Sequence, residues 1–388
     1  MSIVITSKSS ISSLGFETNS IWQTYQSNHH QLSMCCFNDQ DTPTGRLREQ
    51  DRLLIDELRK EHLSFRKLDN SVLMAILTAR KALQQSHWES LSEVGVNFGS
   101  SRGATQLFEK YYQHFFTSPK KRMSPLVSPT TTLGNISSWV AFDLGIKGIS
   151  LSHSITCSTA LHAVLNACAW INSQMAEKFI IGGSEAPLTD FTVAQMRALG
   201  IYSQETTNWY CCPLKTKATK NTMILGEGAA SFCLERDKGQ KALAKIIGIG
   251  YGTEQIEHPA SLSANADCLQ KSMKMALANH PTIDIDVIVM HAPGTIQGDQ
   301  AELKAVESIF GKDTPHIIST KHHTGHTLGA SGGLSLDLAL EMIHRESTVS
   351  FPYETKVCQK TEIKPKTVLI NAVGFGGNAV SIIVQKAD

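Results

Sequence analysis

Short apolar runs rich in β-branched residues alternate along this chain with stretches of helical spacing, and this alternation restricts the fold more than any single motif. Strands that alternate with helices form mostly parallel sheets whose faces are covered by helices. The pattern predicts strands at 3–6, 94–98, 179–182, 230–234, 244–249, 287–290, 316–319 and 368–373. It predicts helices at 70–87, 159–174, 264–279 and 300–310. The expected class is therefore α/β.

Composition excludes several other classes of protein. A chain of 388 residues with 41% hydrophobic and 18% charged residues is typical of a soluble globular protein. The formal net charge of +1 creates no overall field toward nucleic acid or an anionic membrane. No run approaches the roughly 18 apolar residues of a membrane span, and residues 1–8 lack the basic and apolar regions of a signal peptide. We therefore expect neither a nucleic-acid partner nor a membrane span.

The cysteines indicate a reducing compartment. The chain has nine of them, an odd number without C-x-x-C spacing, which argues against a disulfide framework and a structural zinc site. We therefore expect no metal and a cytoplasmic location. The nine are at positions 35, 36, 157, 168, 211, 212, 233, 268 and 358.

Cys157 lies where a polar, β-branched run gives way to an apolar helical pattern rich in small residues. This arrangement predicts a strand, a tight turn and a buried helix, with the thiol at the turn. The helix N-terminus carries partial positive charge and free N–H groups, so it favours the reactive thiolate. The alternative is an inert buried cysteine, which is common in protein cores.

Two further segments make a catalytic Cys157 more plausible. An apolar run ends at His291, before a Pro/Gly loop and a helix, which predicts an imidazole at the tip of a buried strand. A second short strand leads into Lys321, two histidines and a Gly-His pair at His326, followed by small residues. Small residues allow that helix to approach other backbone closely. A nucleophilic cysteine needs histidine partners elsewhere in the chain, and these two are candidates.

These residues, taken together, resemble the four signatures of the elongating β-ketoacyl-[acyl-carrier-protein] synthases, in the same order. The matching segments are Cys157, His291-x-x-Gly-Thr-x-x-Gly-Asp-x-x-Glu302, Lys321-x-x-x-Gly-His326-x-x-Gly-Ala and Asn371-Ala-Val-Gly-Phe-Gly-Gly-Asn378, with Ile224-Leu-Gly-Glu-Gly-Ala-Ala-Ser231 as a further block. The resemblance implies a thiolase-like fold of two similar halves in a layered α-β-α-β-α arrangement. We place the halves at 1–243 and 244–388, sharing one core.

The resemblance also implies a reaction in two steps. An acyl group moves from a carrier-protein thioester to Cys157, and a malonyl thioester then loses carbon dioxide and attacks the acyl-cysteine. His291 and His326 would stabilise the enolate by hydrogen bonds, with Lys321 behind them. For Lys321 the alternative is a structural ion pair with Asp299 or Glu302, the expected supporting network.

Two more residues receive roles from the resemblance. Phe375, between glycines, would be a gate beside Cys157, and the backbone N–H groups of both would form an oxyanion hole. The alternative for Phe375 is a core side chain that anchors a turn. Thr295 would bind the pantetheine arm, and its alternative is a helix-capping threonine. No cofactor is expected, because phosphopantetheine arrives on the carrier protein.

Three positions depart from the family pattern. Pro293 replaces a second pantetheine-binding threonine, and Ser335 replaces a glutamate that many elongating relatives carry. Arg102 stands where relatives place an apolar residue at the far end of the acyl pocket, so it is paired, turned away, or binds a polar substrate end. These departures favour a specialised pathway, such as polyketide or polyene pigment synthesis, over housekeeping fatty-acid synthesis.

The expected partners follow from the same resemblance. Lys120, Lys121 and Arg122, in a basic segment bounded by prolines, would meet an acidic acyl carrier protein, or else form a solvated loop. Pairing across an edge strand predicts a homodimer or a heterodimer with a related ketosynthase or chain-length subunit. Residues 29–48 are predicted to be a surface loop.

The rival functions are a thiolase, an initiating synthase and a chain-length partner of little activity. A thiolase would need a second cysteine where Phe375 stands, and an initiating synthase would have asparagine in place of His326. A chain-length partner generally lacks the nucleophile, which this chain keeps as Cys157.

Overall fold

The computed structural model describes residues 2–27, 29–118, 122–133, 135–205, 209–255, 262–280, 282–357, 359–360 and 362–387. The strands are β1 Ile3–Ile11, β2 Ser33–Phe37, β3 Gln40–Thr44, β4 Val94–Gly99, β5 Ser150–His153, β6 Lys178–Glu185, β7 Gly228–Arg236, β8 Ala244–Thr253, β9 Val287–Val289, β10 His316–Ile318, β11 Thr367–Gly374 and β12 Asn378–Lys386. The helices are α1 Thr18–Gln26, α2 Glu49–Glu61, α3 Asn70–Ser86, α4 Thr105–Thr117, α5 Val127–Thr131, α6 Asn135–Leu144, α7 Thr159–Asn172, α8 Asp190–Ala198, α9 Asp267–Leu277, α10 Ile296–Phe310, α11 Lys321–Thr324 and α12 Ser331–Arg345. Short 3₁₀ helices cover Leu63–Lys67 and Leu328–Ala330.

Ten of the strands form one sheet in the order β10-β9-β11-β12-β8-β1-β7-β6-β4-β5. Numbered within each half, both sets of five strands follow the same order, 3-2-4-5-1. In each half three strands are parallel and two antiparallel ones follow. The halves meet where Ile3–Ile5 of β1 pairs with Ala244–Ile246 of β8. The two similar halves are confirmed, and the division at residue 243 stays a prediction.

The helices and the two halves of the sheet form five layers, in the order helix, sheet, helix, sheet, helix. Helix α3 packs outside β1, β6 and β7, and α9 packs outside β8 and β12 with α10 beside it. Helices α7 and α12 contact each other and strands of both halves, so they form the middle layer. One apolar cluster contains residues of both halves, including Ile5, Leu161, Val287 and Leu336.

The middle layer is packed so closely that it requires glycine, as the small-residue run predicts. A Cβ on Gly183 of β6 would lie 2.8 Å from the Cβ of Ala160 and 2.8 Å from the carbonyl oxygen of Gly329. A Cβ on Gly332 of α12 would lie 2.7 Å from Cγ of Leu161 on α7. We refer to this contact between β6, α7 and α12 as the glycine seam.

A buried ion-pair cluster also joins β1 to α12. Lys8 Nζ lies 2.6 Å from Asp337 Oδ1 and 3.1 Å from Glu341 Oε1, and Ser10 Oγ donates to Asp337 Oδ2 at 3.0 Å. All of these side chains are buried. The neighbouring carboxylates favour the ammonium, so the pKa of Lys8 is raised despite the opposing effect of burial. The cluster therefore ties the first strand of one half to the central helix of the other.

All eight predicted strands and all four predicted helices are present, with ends that differ by a few residues. The prediction of a surface loop at 29–48 was wrong, because this segment contains the β2–β3 hairpin with Thr42 and Thr44 buried. Its turn residues Asn38 and Asp39 both have positive φ, which suits a tight hairpin.

Of the basic segment, Arg122 is exposed, whereas Lys120 and Lys121 lie outside the described residues, as does Cys358. Within the described part of the chain, no helix combines the length and apolar character that crossing a bilayer requires.

Candidate active site

The turn between β5 and α7, which carries Cys157, has a strained backbone at the preceding residue. Thr156 has φ of +46°, which is costly for a β-branched residue. The first helical residue fixes this turn, because the Thr159 hydroxyl accepts from the Ile155 N–H at 2.9 Å and donates to the Thr156 carbonyl at 2.6 Å. Cys157 therefore sits at a rigid corner immediately before the buried helix.

The Cys157 thiol is buried and lies 3.2 Å from His326 Nε2. Burial raises the pKa of the thiol to about 12, the Glu185 carboxylate acts in the same direction, and Lys321 opposes both. Desolvation opposes the effect expected of the helix N-terminus, so the idea that this helix end favours the thiolate stays a prediction. His326 Nε2 lies within hydrogen-bond distance of the thiol.

His291 follows β9, and the buried Glu302 fixes its backbone. The Glu302 carboxylate accepts from the His291 N–H at 2.9 Å and from the Ala292 N–H at 2.8 Å. The side-chain amide of Asn371 also donates to Glu302, at 3.3 Å. Glu302 thus acts on the site by holding the peptide that carries the imidazole.

The rings of His291 and His326 face each other at nearly a right angle, with centroids 5.1 Å apart. Burial, aided by nearby Lys321, lowers the pKa of His326 to about 3, and burial lowers the pKa of His291 well below its ordinary value. Both rings are therefore neutral at physiological pH, so each has one N–H donor. Neither Nδ1 has a partner among the described residues.

Lys321 is buried behind these groups. Its Nζ donates to Thr320 Oγ1 at 3.3 Å. Among the ion pairs of the described residues it has none, so the alternative of an ion pair with Asp299 or Glu302 was wrong. Burial lowers the pKa of Lys321 to about 8, while the charges of Glu302 and Cys211 act in the opposite direction.

The hydrogen bonds of Asp299 explain why it forms no ion pair with Lys321. Its carboxylate accepts backbone N–H groups of Leu214 at 2.9 Å and Gly294 at 3.1 Å, and of Thr295 at 3.2 Å. Like Glu302, it is already satisfied by the backbone and holds the loop after His291. Lys321 therefore contributes positive potential to the site without a direct contact to either carboxylate.

Phe375 lies at the turn between β11 and β12 and is 40% exposed, so the alternative of a core side chain was wrong. The Thr156 hydroxyl donates to the Phe375 carbonyl at 3.3 Å. A Cβ on Gly374 would lie 1.7 Å from Thr156 Oγ1 and 2.9 Å from the Cys157 backbone nitrogen. Glycine at 374 thus allows the Phe375 loop to rest directly on the nucleophile turn.

The remaining predicted positions lie around this centre. Thr295 is the residue before α10, and its hydroxyl makes no capping bond, so the capping alternative was wrong. The Pro293 carbonyl lies 3.7 Å from the Cys211 sulfur. Ser335 is buried on α12, and its hydroxyl has no partner among the described residues. Arg102 donates from Nη2 to Gln195 Oε1 at 2.6 Å.

The sequence analysis missed Glu185, the last residue of β6. It is fully buried, and its Oε1 accepts from the Ser100 hydroxyl at 2.8 Å and from the Arg102 N–H at 3.2 Å, as well as from the Ser101 N–H. Burial raises its pKa to about 7 against these hydrogen bonds. An acidic residue at the end of an apolar strand was the available signal.

Cys157, His291 and His326 bring one sulfur and two ring nitrogens within 4.8 Å of one another. Sulfur and imidazole ligands suit zinc, so these atoms also match a soft metal ion in donor type. The same three groups offer a nucleophile and two neutral hydrogen-bond donors that converge on one point. Covalent acyl chemistry with stabilisation of an oxyanion or enolate uses all three.

Comparison with known proteins places these features in a family. The Beta-ketoacyl synthase model matches in two parts, its N-terminal domain at residues 3–239 and its C-terminal domain at 243–351. The 3-oxoacyl-[acyl-carrier-protein] synthase 2 of Coxiella burnetii is 27% identical, over 99% of this chain and 98% of its own length.

Two solved structures are similar along the whole chain. The ishigamide ketosynthase/chain length factor has a TM-score of 0.88 at 18% identity, covering 100% of this chain and 99% of that one. A type II polyketide synthase acyl carrier protein in complex with its ketosynthase bound to the hexaketide has a TM-score of 0.86 at 18% identity, with the same coverage. At such identities these structures support the thiolase-like fold alone.

The family match supports a more specific assignment than the shared fold does. Its N-terminal part includes the turn of Cys157, and its C-terminal part includes His291 and His326. These are the residues that the structure brings together. The chain therefore belongs to the β-ketoacyl synthase family and is an acyltransferase of the ketosynthase type.

Proposed function

We propose that Cys157 is the acyl-accepting nucleophile of a decarboxylative Claisen condensation with malonyl-acyl carrier protein. The observation that carries this proposal is the 3.2 Å contact between the Cys157 sulfur and His326 Nε2. His326 takes the thiol proton as the sulfur attacks the acyl thioester, and the departing carrier thiolate receives that proton. The backbone N–H groups of Cys157 and Phe375 hold the tetrahedral oxyanion, which needs such preorganised donors.

The second half-reaction uses the two histidines as donors. His291 and His326 donate hydrogen bonds to the thioester carbonyl of the malonyl group while the bond to carbon dioxide breaks. The electron pair moves onto the enolate, whose carbon attacks the acyl-cysteine carbonyl and releases the Cys157 thiolate. His326 can serve both steps, because its Nδ1 has no partner among the described residues and so fixes neither tautomer.

Supporting residues complete the proposed site. Lys321 adds positive potential to the enolate, Glu302 and Asp299 hold the loop of His291, and Thr295 binds the pantetheine arm. The free hydroxyl at the start of α10 supports the last role, because it is not used for capping. No further cofactor takes part, since phosphopantetheine arrives on the carrier protein.

The partners of the reaction are an acyl carrier protein and a second chain of the same fold. A related ketosynthase was solved with its carrier protein, and another with a chain length factor. In this chain β5 lies at one edge of the sheet and leads into the turn of Cys157. Helix α4 carries exposed aromatic side chains that also suit burial in a protein contact, namely Phe108, Tyr112, Phe115 and Phe116. We propose pairing across this edge, in a homodimer or a heterodimer.

The setting is the cytoplasm and a fatty-acid, polyketide or polyene pathway. All eight described cysteines are free, which suits a reducing compartment. The second candidate, a chain-length partner with little activity of its own, is suggested by the relative that is solved as a ketosynthase/chain length factor. It is disfavoured because Cys157, His291 and His326 are all present and in contact distance.

Intact-protein mass spectrometry tests the assignment. The protein is mixed with acyl- and malonyl-carrier proteins, and Cys157→Ala is compared with Cys168→Ala. Cys168 is a matched control, because it lies buried on α7 and burial also raises its thiol pKa to about 12, yet it has no histidine contact. We expect adducts and an elongated β-ketoacyl product with wild type and Cys168→Ala only. Absence of an adduct in the folded wild type with every acyl donor would favour the chain-length partner.

A further inference from the structure

The turn after β4 carries an arginine that the reaction does not use. Arg102 reaches from this turn to helix α8, where its Nη2 donates to Gln195 Oε1 at 2.6 Å. Its Nε is buried and has no partner in the described part of the chain. The Arg102 side chain thus connects the turn after β4 to helix α8, where its hydrogen-bond partner is an uncharged amide.

Glu185 offers a second unused group at the same turn. Its Oε1 accepts three donors from Ser100, Ser101 and Arg102, so the carboxylate fixes the backbone of the arginine. Its Oε2 is buried and lacks any partner among the described residues. A fully buried carboxylate oxygen without a hydrogen bond is costly, and it marks a place for a polar group.

This polar cluster lies next to the nucleophile. Ser154, in the connection that carries Cys157, donates from Oγ to the Ser101 carbonyl at 3.1 Å, so the turn of Arg102 rests on the turn of the nucleophile. Cys157 also belongs to an apolar cluster that includes Val193 and Met196 of α8.

Arg102 forms no close ion pair with a described carboxylate. Among the ion pairs of the described residues none involves Arg102, although its charge acts on Glu185 from a greater distance. Its Nε–H is an unpaired donor, and a guanidinium N–H suits a carboxylate or hydroxyl oxygen as acceptor.

We propose that Arg102 and Glu185 bind an oxygen-bearing group on the acyl chain that Cys157 carries. The inference rests on the proposed function, and it defines the substrate class as acyl thioesters that end in a carboxylate or a hydroxyl. Arg102 donates to the terminal oxygen, and Glu185 Oε2 accepts from a hydroxyl or from a protonated carboxyl. A methyl-ended chain of equal length leaves both groups unpaired.

The proposal is tested with three acyl thioesters of equal carbon number, loaded on the carrier protein. Their chains end in a methyl, a hydroxyl or a carboxyl group. The rate of the Cys157 adduct is measured for wild type, Arg102→Met and the control Arg197→Met. Arg197 lies two residues beyond Gln195 and is directed to Thr42 instead. We expect wild type and Arg197→Met to favour one or both oxygen-ended chains by about tenfold. The Arg102→Met variant is expected to lose that preference through a raised KM, with methyl-ended chains unaffected.

A second measurement separates this proposal from the assignment of the reaction. Calorimetry records binding of the same three carrier-bound chains to Cys157→Ala, with and without Arg102→Met, so no chemistry is needed. Tighter binding of an oxygen-ended chain that Arg102→Met abolishes supports the proposal even if wild type forms no adduct. Equal binding of all three chains overturns it, and so does dissociation of a dimer by Arg102→Met in size-exclusion chromatography.

Discussion

The two halves of the molecule place different chemistry at equivalent positions. In each half the third strand leads into a helix of the middle layer, at β5 to α7 and at β10 to α12. The first connection has five residues, 154–158, and carries Cys157, whereas the second has twelve, 319–330, and carries Lys321 and His326. The longer connection accommodates a short helix and a second functional side chain. One topological position thus carries the proposed nucleophile in one half and one of the two proposed donor histidines in the other.

The comparison extends to the neighbouring strand ends. The second strand of each half ends shortly before His291 in one case and shortly before Arg102 in the other. The fourth strand ends at Glu185 in one half and at Gly374, beside Phe375, in the other. Each half therefore directs three strand ends at the same centre, and the halves differ in which side chains they place there.

The largest expected effect comes from removing the nucleophile. Cys157→Ala should abolish acyl transfer and condensation, because no other group in the N-terminal half replaces the sulfur. Decarboxylation of malonyl-carrier protein should persist within about tenfold, since its oxyanion-type donors are on His291 and His326. Release of carbon dioxide and adduct formation are measured side by side. Loss of both together would show that the two halves do not divide the reaction in this way.

Breaking the buried ion pair that joins the halves should be the next largest effect. Lys8→Met leaves Asp337 buried without its cation, whereas Glu341 keeps its ion pair with Arg345, so the free energy of unfolding should fall by about 3 to 5 kcal/mol. The control is Lys386→Met, whose partner Glu346 is exposed, so a much smaller change is expected. Urea denaturation measures both. Equal changes in the two variants would mean that this buried cluster does not hold β1 to α12.

Variants of the two histidines should differ in the half-reactions that they slow. His291→Ala and His326→Ala should each lower condensation by about 10²- to 10³-fold, the usual cost of a lost oxyanion donor. Only His326→Ala should also slow adduct formation, because only His326 contacts the sulfur. Stopped-flow acylation and product assays distinguish the steps, with the exposed His344→Ala as control. Equal acylation defects in both histidine variants would remove the proton-accepting role from His326.

The smallest effect is the pH dependence due to Lys321. Its pKa of about 8 means that the ammonium loses its proton as the pH rises through 8, so condensation should fall by up to about tenfold per pH unit above that value. Through this group alone the folded state binds fewer protons than the unfolded state between pH 8 and 10.5, so the free energy of unfolding rises there. Deprotonation of Lys321 therefore does not destabilise the folded protein, and unfolding through this group does not explain the fall in the condensation rate.

Lys321→Met provides the matched measurement for this prediction. Its condensation rate should be lower at pH 7 and should lack the decline centred near pH 8. A decline of the same size in wild type and Lys321→Met would assign the titration to another group.

Much of this architecture could be predicted from the sequence because its signals are local. Apolar runs and helical spacing located every predicted strand and helix, and the strand-turn-helix patterns put Cys157, His291 and His326 at strand ends. Parallel strands bring such ends to one edge of a sheet, so their convergence follows from the same pattern. The roles of these residues stay predictions.

What the sequence did not reveal depends on contacts between distant segments. Glu185 binds a turn more than 80 residues away in the chain, and no local pattern specifies that partner. The left-handed Thr156 contradicts the preference of a β-branched residue, so propensity argues against it. The charge state of Cys157 depends on burial, which opposes the helix end that the sequence does show. Lys321 lacks its expected ion pair because backbone amides already occupy both carboxylates.

The glycine seam has a consequence for how this chain can diverge. At Gly183 and Gly332 any added carbon meets neighbouring atoms within 3 Å, so even alanine requires the central layer to shift. A larger side chain at either position would force the two halves apart at the layer they share. The surfaces that hold the halves together can therefore accept almost no change at these two positions.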